Sequence, residues 1–404
     1  ADHSHTTRYR TSADQERERT SMLLFAVMLV AAAAVPTFHI DLEVPPQRRW
    51  AKVTDHYREE MHSMLSKYRE IMQTKYSAQE LAQWVSLIKA NKADHEQEYH
   101  EELQGIAKDL DAENSEEITD LLLLFNALYE LQSPTFCSGL LAADAQGTVH
   151  HGRNLDYKFA FRTPDGVEHD WPDVTFNAVF WRKGQQLIVA TNFVLYNGIH
   201  TGMRFGGWTF EQNTRHTNDK TLNLEAMNQG GHLFGWAVRS HMENIPSFAE
   251  AVQAISKTNF AAPQYFIMAG AGPFEGAVIT QDRGISHLPD TPATQFLSNE
   301  TGTWHLLQTN DDSNKLPADI RRPLTQFDLS KHKQEEVSPD FVWRYLEHMP
   351  LHSSVTVFSV LAVPQTGYWF TATRSEPAPK VKPALASGRV GHTKWARRAL
   401  LTAE

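Results

Sequence analysis

The sequence predicts an α+β fold in which helices enclose sheets, and three observations support this prediction. The 404-residue chain has 41% apolar and 21% charged residues, a composition typical of a globular protein with at least one large core. From residue 50 to about residue 132, apolar residues recur with helical spacing. After Ser133-Pro134, short apolar or alternating runs dominate, and these are typical of β-strands with helices between them.

The first 38 residues combine a polar leader with an apolar run that fits a membrane segment. The leader, residues 1–21, carries four arginines and precedes an uncharged run at residues 22–38. As a helix this run would rise roughly 25 Å, slightly less than a hydrocarbon core of about 30 Å, so it fits either a signal segment or a retained anchor. The basic leader and the acidic residues after the run predict that the main domain lies across the membrane, in a lumen or an intermembrane space.

Residues 39–136 are predicted to form a helical region. An amphipathic helix is indicated by apolar residues that recur every three or four positions, namely Val53, Tyr57, Met61, Leu65, Tyr68 and Met72. Ser77 and Glu80 have the spacing of a capping box, which predicts the start of a second helix. The acidic residues at 94–102 are interpreted as a solvated helix face, whereas residues 121–125 are apolar all round and are predicted to be buried.

Residues 137–375 are predicted to form a strand-rich region. Runs with the length and texture of strands occur at residues 138–142, 148–151, 174–181, 186–192, 265–269, 276–280, 304–309, 355–363 and 367–373. Helices are predicted between these strands at residues 224–242 and 247–257. Residues 376–404 are basic and begin with several prolines, which predicts a C-terminal extension.

Charge and motif content exclude several classes of protein. The chain has 38 Lys and Arg against 48 Asp and Glu, so its net charge is −10. A duplex-binding protein normally has the opposite balance, and no nucleic-acid partner is predicted. The sequence lacks the P-loop, the nucleophile elbow of serine hydrolases and the zinc-protease motif. With one cysteine it forms neither an internal disulfide nor a cysteine-rich metal site, and neither a cofactor nor a metal ion is predicted.

The single cysteine, Cys137, begins a predicted strand, and the strand that returns after the Gln146-Gly147 turn carries Arg153 and Asp156. In such a hairpin, residues 152–156 lie beside the start of the first strand, so an arginine and a carboxylate would flank the sulfur. A nearby positive charge activates a thiol, and a carboxylate can orient an amine that accepts the thiol proton. The same residues also fit a structural interpretation, since buried cysteines are usually inert and buried arginines need carboxylate partners.

These motifs resemble the family of acid ceramidases and N-acylethanolamine acid amidases, which are N-terminal-nucleophile cysteine hydrolases. The resemblance covers most of the chain, from about residue 38 to residue 373. It is carried by short motifs that occur in the family's order, at residues 38–42, 44–45, 49–50, 136–137, 151–156, 196–202, 265–270, 275–280, 308–312 and 321–322. The resemblance implies an αββα sandwich with a helical N-terminal subunit.

The resemblance also implies a proenzyme that cuts itself between Phe136 and Cys137. Cleavage would leave a helical α-subunit-like region, residues 39–136, and a catalytic β-subunit-like region, residues 137–375. The nucleophile would be the first residue of the second region. Its new α-amine, with a reference pKa of about 7.7 to 8.0, would serve as the general base.

Four further residues would surround the nucleophile by the same resemblance. Arg153 and Asp156 would position and polarise it, and Asn310 would donate a hydrogen bond to the oxyanion. Arg321, in preference to Arg322, matches the family's later arginine. From local sequence alone, Asn310 also fits a turn residue and the arginine pair also fits an exposed surface.

Two positions depart from the family pattern. Relatives commonly have Asn-Glu-Arg where this chain has Asn213-Thr214-Arg215, so a carboxylate of the inner network is absent unless Glu211 replaces it. Asn310 is followed by Asp311 instead of the usual aromatic residue. Both departures favour either a different distribution of protons among the groups of the site or a reduced activity.

The sequence therefore supports two functions. The first is a lipid amide hydrolase that cleaves N-acylethanolamine- or ceramide-type fatty acyl amides in a lysosomal or secretory lumen, with an acyl pocket formed by loops at residues 193–208. The second is a hydrolase-like accessory subunit with reduced or no catalysis, in a membrane complex such as one of the mitochondrial inner membrane. In either case residues 22–38 would associate the protein with a membrane surface or a membrane complex.

Overall fold

The computed structural model describes residues 35–93, 96–131, 135–216, 221–284, 293–314 and 319–373. The polar leader, most of the apolar segment and the C-terminal extension lie outside these residues. Where the end of the apolar segment is described, the prediction is wrong, because Thr37–Asp41 forms strand β1. The backbone of this stretch is satisfied by pairing with another strand and not by a continued helix. In the described part of the chain, no helix is both long enough and apolar enough to cross a membrane.

The described residues of the helical region form five α-helices whose apolar faces pack inward. These are α1 (Ala51–His56), α2 (Arg58–Lys75), α3 (Ala78–Asn91), α4 (Gln97–Leu110) and α5 (Ser115–Asn126). The apolar stripe predicted on α1 and α2 is buried, and α3 begins with the predicted capping box of Ser77 and Glu80. Residues 121–125 on α5 are buried as predicted.

The prediction of a solvated acidic face at residues 94–102 is wrong in part. Glu102 is completely buried and Glu96 is almost completely buried. Helical spacing places Glu102 on the same inward face of α4 as Tyr99 and Ile106. Its charge is compensated there by buried arginines, which are far away in the sequence.

The strand-rich region forms two large sheets. Its strands are β2 (Phe136–Ala143), β3 (Val149–Asp156), β4 (Ala160–Arg162), β5 (Glu168–Asp170), β6 (Thr175–Arg182), β7 (Gln185–Phe193), β8 (Thr201–Arg204), β9 (Trp208–Thr214), β10 (Gln264–Gly270), β11 (Gly276–Gln281), β12 (Thr294–Phe296), β13 (His305–Gln308), β14 (Thr356–Val363) and β15 (Tyr368–Thr373). One sheet has the order β1-β6-β7-β8-β9-β10-β11-β12, and the other has the order β13-β2-β3-β14-β15. Only the β1–β6 pair is parallel among the described strand pairs of these sheets. Strands β4 and β5 form a separate hairpin.

Helices cover the outer faces of the two stacked sheets. The helices of this region are α6 (Thr221–Asn228), α7 (Phe234–Asn244), α8 (Phe248–Lys257), α9 (Arg321–Leu329) and α10 (Pro339–Glu347). Helix α7 packs on β7 and β8, and α8 packs on β10 and β11, while α10 packs on β3 and β14. Strands β2 and β9 contact each other where the sheets meet. This arrangement is the predicted αββα sandwich.

Two local predictions differ from the structure. The helix predicted at residues 224–242 is interrupted between α6 and α7, where Gly230 has a φ of +84°. The sequence predicts loops at residues 193–208, whereas the structure has strand β8 there and β9 immediately after it. Strand β8 is only four residues long and β9 is buried on both faces, so neither shows the alternating pattern by which a half-buried strand is recognised.

Candidate active site

The predicted hairpin forms and carries the candidate nucleophile. Strands β2 and β3 are antiparallel, with Cys137 opposite Leu155 and Gly139 opposite Arg153, and the turn contains Gly147 with a φ of +84°. Residues opposite each other in an antiparallel pair share a face, so Arg153 is a diagonal neighbour of Cys137. Its Nη2 lies 3.8 Å from the sulfur, as the hairpin predicts. The thiol is completely buried.

Asp156 lies on the other face of this hairpin, because its position in β3 alternates with that of Arg153. Its Oδ1 accepts a 2.6 Å hydrogen bond from the Thr356 hydroxyl, and its Oδ2 accepts a 3.1 Å bond from Arg321. The structure thus brings the predicted arginine directly to the sulfur. It places the predicted carboxylate on the opposite face of the hairpin, in an ion pair with a second arginine, Arg321.

Asn310 binds the backbone nitrogen of the bond that the resemblance marks for cleavage. Its Oδ1 accepts from the Cys137 N–H at 2.7 Å and from Arg321 Nη2 at 2.8 Å, while its Nδ2 donates to the Thr214 carbonyl at 2.8 Å. An amide N–H and a guanidinium only donate and a carbonyl only accepts, so these bonds fix the orientation of the side chain. Because Nδ2 is engaged with Thr214 in the uncut chain, donation to an oxyanion stays a prediction.

The two adjacent arginines have different partners. Arg321 donates to Asn310, to Asp156 and to Asp319, whose Oδ2 lies 2.5 Å from Nη2. Arg322 is 5% exposed and pairs with Asp311 at 3.0 Å. The interpretation of the pair as an exposed surface is therefore wrong. Arg321 reaches the site, and the aspartate that departs from the family pattern holds Arg322 instead.

Burial dominates the acid–base properties of the site. It raises the pKa of the Cys137 thiol to about 11, while Arg153 and Arg321 act to lower this pKa and Asp156 and Glu211 act to raise it. Burial also raises the pKa of Asp156 to about 6, against the lowering effects of the Thr356 hydrogen bond and of Arg321. In the uncut chain the thiol is therefore neutral at physiological pH, and a neutral thiol is a poor nucleophile.

Strand β9 forms the wall opposite the hairpin. Arg153 Nη1 donates to the Gln212 carbonyl at 2.8 Å and lies 3.6 Å from the Glu211 carboxylate. Thr214 Oγ1 is 2.7 Å from the hydroxyl of Thr135, two residues before the nucleophile. Sequence reasoning missed Thr135 and Gln212, because their contacts depend on a strand that the sequence does not reveal. Glu211, considered as a replacement carboxylate, does face the site.

The segment before the nucleophile is exposed only in part. The ring of Phe136 is 48% exposed and lies 5.4 Å from the His216 ring and 5.7 Å from the Arg321 guanidinium. Thr135 is completely buried, and its carbonyl accepts a 3.0 Å hydrogen bond from His216. Most of the large side chains at residues 193–208, which the sequence predicts to line an acyl pocket, are buried in the uncut chain, so this pocket stays a prediction.

Within the described residues, no group of three or more His, Cys, Asp or Glu side chains is arranged to hold a metal ion. The site consists of a cysteine at the start of an inner strand, an arginine at its sulfur and an amide at its backbone nitrogen. Two sheets stacked between helices carry this constellation. The fold is the αββα sandwich of the N-terminal-nucleophile hydrolases.

Comparisons with known proteins show which proteins of this fold the chain is similar to. The family profile described as the beta subunit of N-acylethanolamine-hydrolyzing acid amidase matches residues 33–93. Acid ceramidase from Homo sapiens is 28% identical over 370 residues, which cover 86% of this chain and 88% of the human protein. N-acylethanolamine-hydrolyzing acid amidase from Rattus norvegicus is 27% identical over 340 residues, which cover 82% and 86% of the two chains.

A solved structure is also similar. The Caenorhabditis elegans N-acylethanolamine-hydrolyzing acid amidase ortholog has 27% sequence identity and a TM-score of 0.50, and the match covers 57% of this chain and 93% of that one. Over most of its length the chain is similar to acid ceramidases and N-acylethanolamine-hydrolyzing acid amidases, as the sequence motifs predict.

Proposed function

We propose that this protein is a lipid amide hydrolase whose nucleophile, Cys137, becomes N-terminal by self-cleavage after Phe136. The main support is the hydrogen bond from the Cys137 backbone N–H to Asn310, next to a sulfur that Arg153 contacts. These contacts bring three groups together. They are the nucleophilic sulfur, the positive charge of Arg153, and the backbone nitrogen that cleavage would convert to an amine. The similarity to acid ceramidase and to N-acylethanolamine-hydrolyzing acid amidase supports the same chemistry.

Self-cleavage requires only groups of this chain and one water molecule. The sulfur attacks the Phe136 carbonyl carbon, the thiol proton passes to the Cys137 nitrogen, and a thioester replaces the peptide bond. Water then hydrolyses the thioester, which leaves a carboxylate at Phe136 and restores the thiol on a chain that begins with a free α-amine. The Asn310 oxygen that binds the amide N–H in the uncut chain would bind this amine.

The same nucleophile would then act on a fatty acyl amide. The α-amine, with a reference pKa of about 7.7 to 8.0, accepts the thiol proton, and the thiolate attacks the acyl carbonyl. The proton passes to the leaving amine, and water releases the fatty acid from the acyl-cysteine. We assign Arg153 to the thiolate and Asp156, through Arg321, to orientation of the amine. Asn310 would serve the oxyanion once its Nδ2 leaves the Thr214 carbonyl.

The path of the substrate follows from the position of the bond that is cut. The Phe136 carbonyl and the substrate carbonyl must reach the same sulfur, so the acyl group would occupy the space that Thr135 and Phe136 fill in the uncut chain. Withdrawal of these residues would open the buried site.

We further propose residues 39–136 and 137–375 as the two subunits. We propose a lysosomal or secretory lumen as the compartment; its acidity is in line with the word acid in the relatives' names.

Release of free fatty acid tests this function. Protein incubated at acidic pH is mixed with an N-acylethanolamine or a ceramide, and the fatty acid is quantified by mass spectrometry. We expect release by the wild type and none above background by Cys137→Ala. Ser138→Ala is a matched control, because it removes a side-chain oxygen from the next residue, which has no hydrogen-bond partner among the described residues. The Ser138→Ala protein should retain activity. In the wild type, the peptide that contains Cys137 should carry a fatty acyl group during turnover.

Two results would contradict the proposal. A folded protein that is cut before Cys137 and releases no fatty acid is not a lipid amidase. A folded wild-type chain that stays uncut and inactive is instead the result expected for an accessory subunit. Thr214 motivates that second hypothesis, since it stands where relatives commonly have a glutamate.

A further inference from the structure

Behind Arg153 the structure contains a buried carboxylate that the proposed mechanism does not use. Glu211, on β9, is completely buried, and neither of its carboxylate oxygens has a hydrogen-bond partner among the described residues. Burying an ionised carboxylate is costly unless an opposite charge lies close to it. The neighbours of Glu211 therefore indicate what the carboxylate does.

Two basic side chains of β3 lie against this carboxylate. Arg153 Nη1 is 3.6 Å and His151 Nε2 is 3.5 Å from Glu211 Oε2. The other ring nitrogen of His151 is 2.7 Å from the Thr209 hydroxyl, which fixes the orientation of the ring. The terminal nitrogen of Arg153 that faces Glu211 is not the one that contacts Cys137, which is Nη2. One guanidinium thus connects the carboxylate and the sulfur.

The hairpin leaves space for this carboxylate at one residue. A Cβ atom on Gly139 would lie 1.8 Å from Glu211 Oε1, a distance that no pair of non-bonded atoms tolerates. The φ of Gly139 lies outside the left-handed region, so the close approach of Glu211, and not backbone conformation, accounts for glycine here. The residue two positions after Cys137 therefore lacks a side chain, which allows Glu211 to reach Arg153.

We propose that Glu211 is the counter-ion of Arg153, a positioning residue that holds the guanidinium beside Cys137 and offsets its positive charge at the thiol. The proposal rests on the proposed function, in which Cys137 is the nucleophile. Four other titratable or charged groups interact electrostatically with Cys137 or Arg153. These are Asp156 on β3, Arg321 on α9, the Tyr129 phenol after α5, and His200. Removing the charge of Glu211 alone should leave Arg153 free to favour the thiolate.

Reactivity of the thiol measures this effect without any requirement for enzyme activity. Cys137 is the only cysteine, so the mass added by a small uncharged alkylating reagent reports this residue alone. Intact mass also separates cut from uncut chains, and rates are compared for the uncut form. Near about pH 8, below the pKa of the buried thiol, the rate is proportional to the thiolate fraction.

Glutamine keeps the size of the Glu211 side chain and removes its charge. We expect Glu211→Gln to be alkylated about three- to tenfold faster than the wild type, which corresponds to a fall of about half to one unit in the thiol pKa. Glu211→Asp, which keeps the charge, should restore a rate near that of the wild type. Glu130→Gln is the matched control for local opening, because it also removes a buried carboxylate, one that accepts from the Phe234 N–H and not from Arg153.

Gly139→Ala provides an independent variant. Its Cβ should displace the Glu211 carboxylate, so Gly139→Ala should be alkylated faster than the wild type. In a Glu211→Gln background the same substitution should give no further increase. Equal rates in the wild type and Glu211→Gln, or an equal increase in Glu130→Gln, would overturn the proposal. A wild-type chain that never cuts itself would contradict the proposed function and leave this comparison intact. Equal rates in a chain that does cut itself would contradict this inference alone.

Discussion

Replacing Glu102 by glutamine tests the ion network that joins the helical region to the strand-rich region. Glu102 on α4 accepts from Arg239 on α7 at 2.5 and 2.7 Å, from Trp50 at 2.7 Å and from Asn197 at 3.0 Å. Arg49 adds a fifth bond at 3.1 Å. Burial alone raises the pKa of this carboxyl, but Arg239, Trp50 and Arg49 hold the pKa below its usual value. The carboxylate is therefore charged in the folded protein.

The size of the expected effect follows from burial. Glutamine keeps the shape of Glu102 but presents an NH₂ donor to groups that can only donate. It also removes the carboxylate that Arg49 and Arg239 share and leaves Arg239 paired with Glu243 and Arg49 paired with the exposed Glu98. Removing one member of a buried ion network costs about 3 to 5 kcal/mol. Glu98, on the same helix, is a matched control, because it pairs with Arg49 at 2.8 Å but its side chain is 54% exposed. Glu98→Gln should cost about 0 to 1 kcal/mol.

Urea unfolding followed by circular dichroism measures both effects, in a Cys137→Ala background that keeps every chain uncut. We expect Glu102→Gln to lower the free energy of unfolding by at least about 3 kcal/mol. Equal losses for Glu102→Gln and Glu98→Gln would refute the reasoning that burial decides the contribution of these pairs. If the chain is cut as proposed, the same network would help to hold the two parts together, since a single cysteine cannot form a disulfide between them.

Three further results are expected. Asp156→Asn should lower turnover of an N-acyl amide at least about tenfold, or 1.4 kcal/mol, in the folded fraction; unchanged turnover there would show that the Arg321 pair is only structural. Burial raises the pKa of Glu130 to about 7, so the folded chain retains a proton that the unfolded chain loses, and the contribution of this group to wild-type stability falls as pH rises from about 4.5 to 7. Glu130→Gln should remove a loss of up to about 3 kcal/mol over this window, and parallel pH curves for the two proteins would contradict this. If residues 22–34 anchor the protein, extraction with alkaline carbonate should leave the native protein in the membrane pellet. A chain that starts at Val35 should be found in the supernatant. Native full-length protein in the supernatant would exclude the anchor.

The hairpin around Cys137 could be predicted because its information is local. A strand, a turn with Gly147 and a returning strand fix the neighbour of the sulfur by register alone, and Arg153 occupies the expected place. The rest of the site depends on contacts between distant residues. Asn310 is 173 positions from Cys137 in the sequence, and Arg321 is 165 positions from Asp156. Only the family resemblance, and no periodicity or spacing, indicated these partners.

Other errors have the same physical origin. Glu102 has the sequence signature of a solvated residue because its compensating charges, Arg49 and Arg239, are 53 and 137 positions away. Strand β9 is buried on both faces between two layers of the fold, so its residues lack the alternation that identifies a half-buried strand. For this reason the wall opposite the nucleophile, with Gln212 and Thr214, could not be derived from the sequence.

Intact mass under denaturing conditions tests most directly whether Cys137 is an N-terminal nucleophile. After incubation at acidic pH, the wild type should give two fragments, one of which begins at Cys137, and their masses should sum to that of the uncut chain plus one water molecule. Cys137→Ala should remain a single chain under the same conditions. A folded wild-type chain that stays uncut from about pH 4 to pH 8, the range that spans the carboxylate, histidine and α-amine reference pKa values, would contradict the account, as would a cut at any other bond.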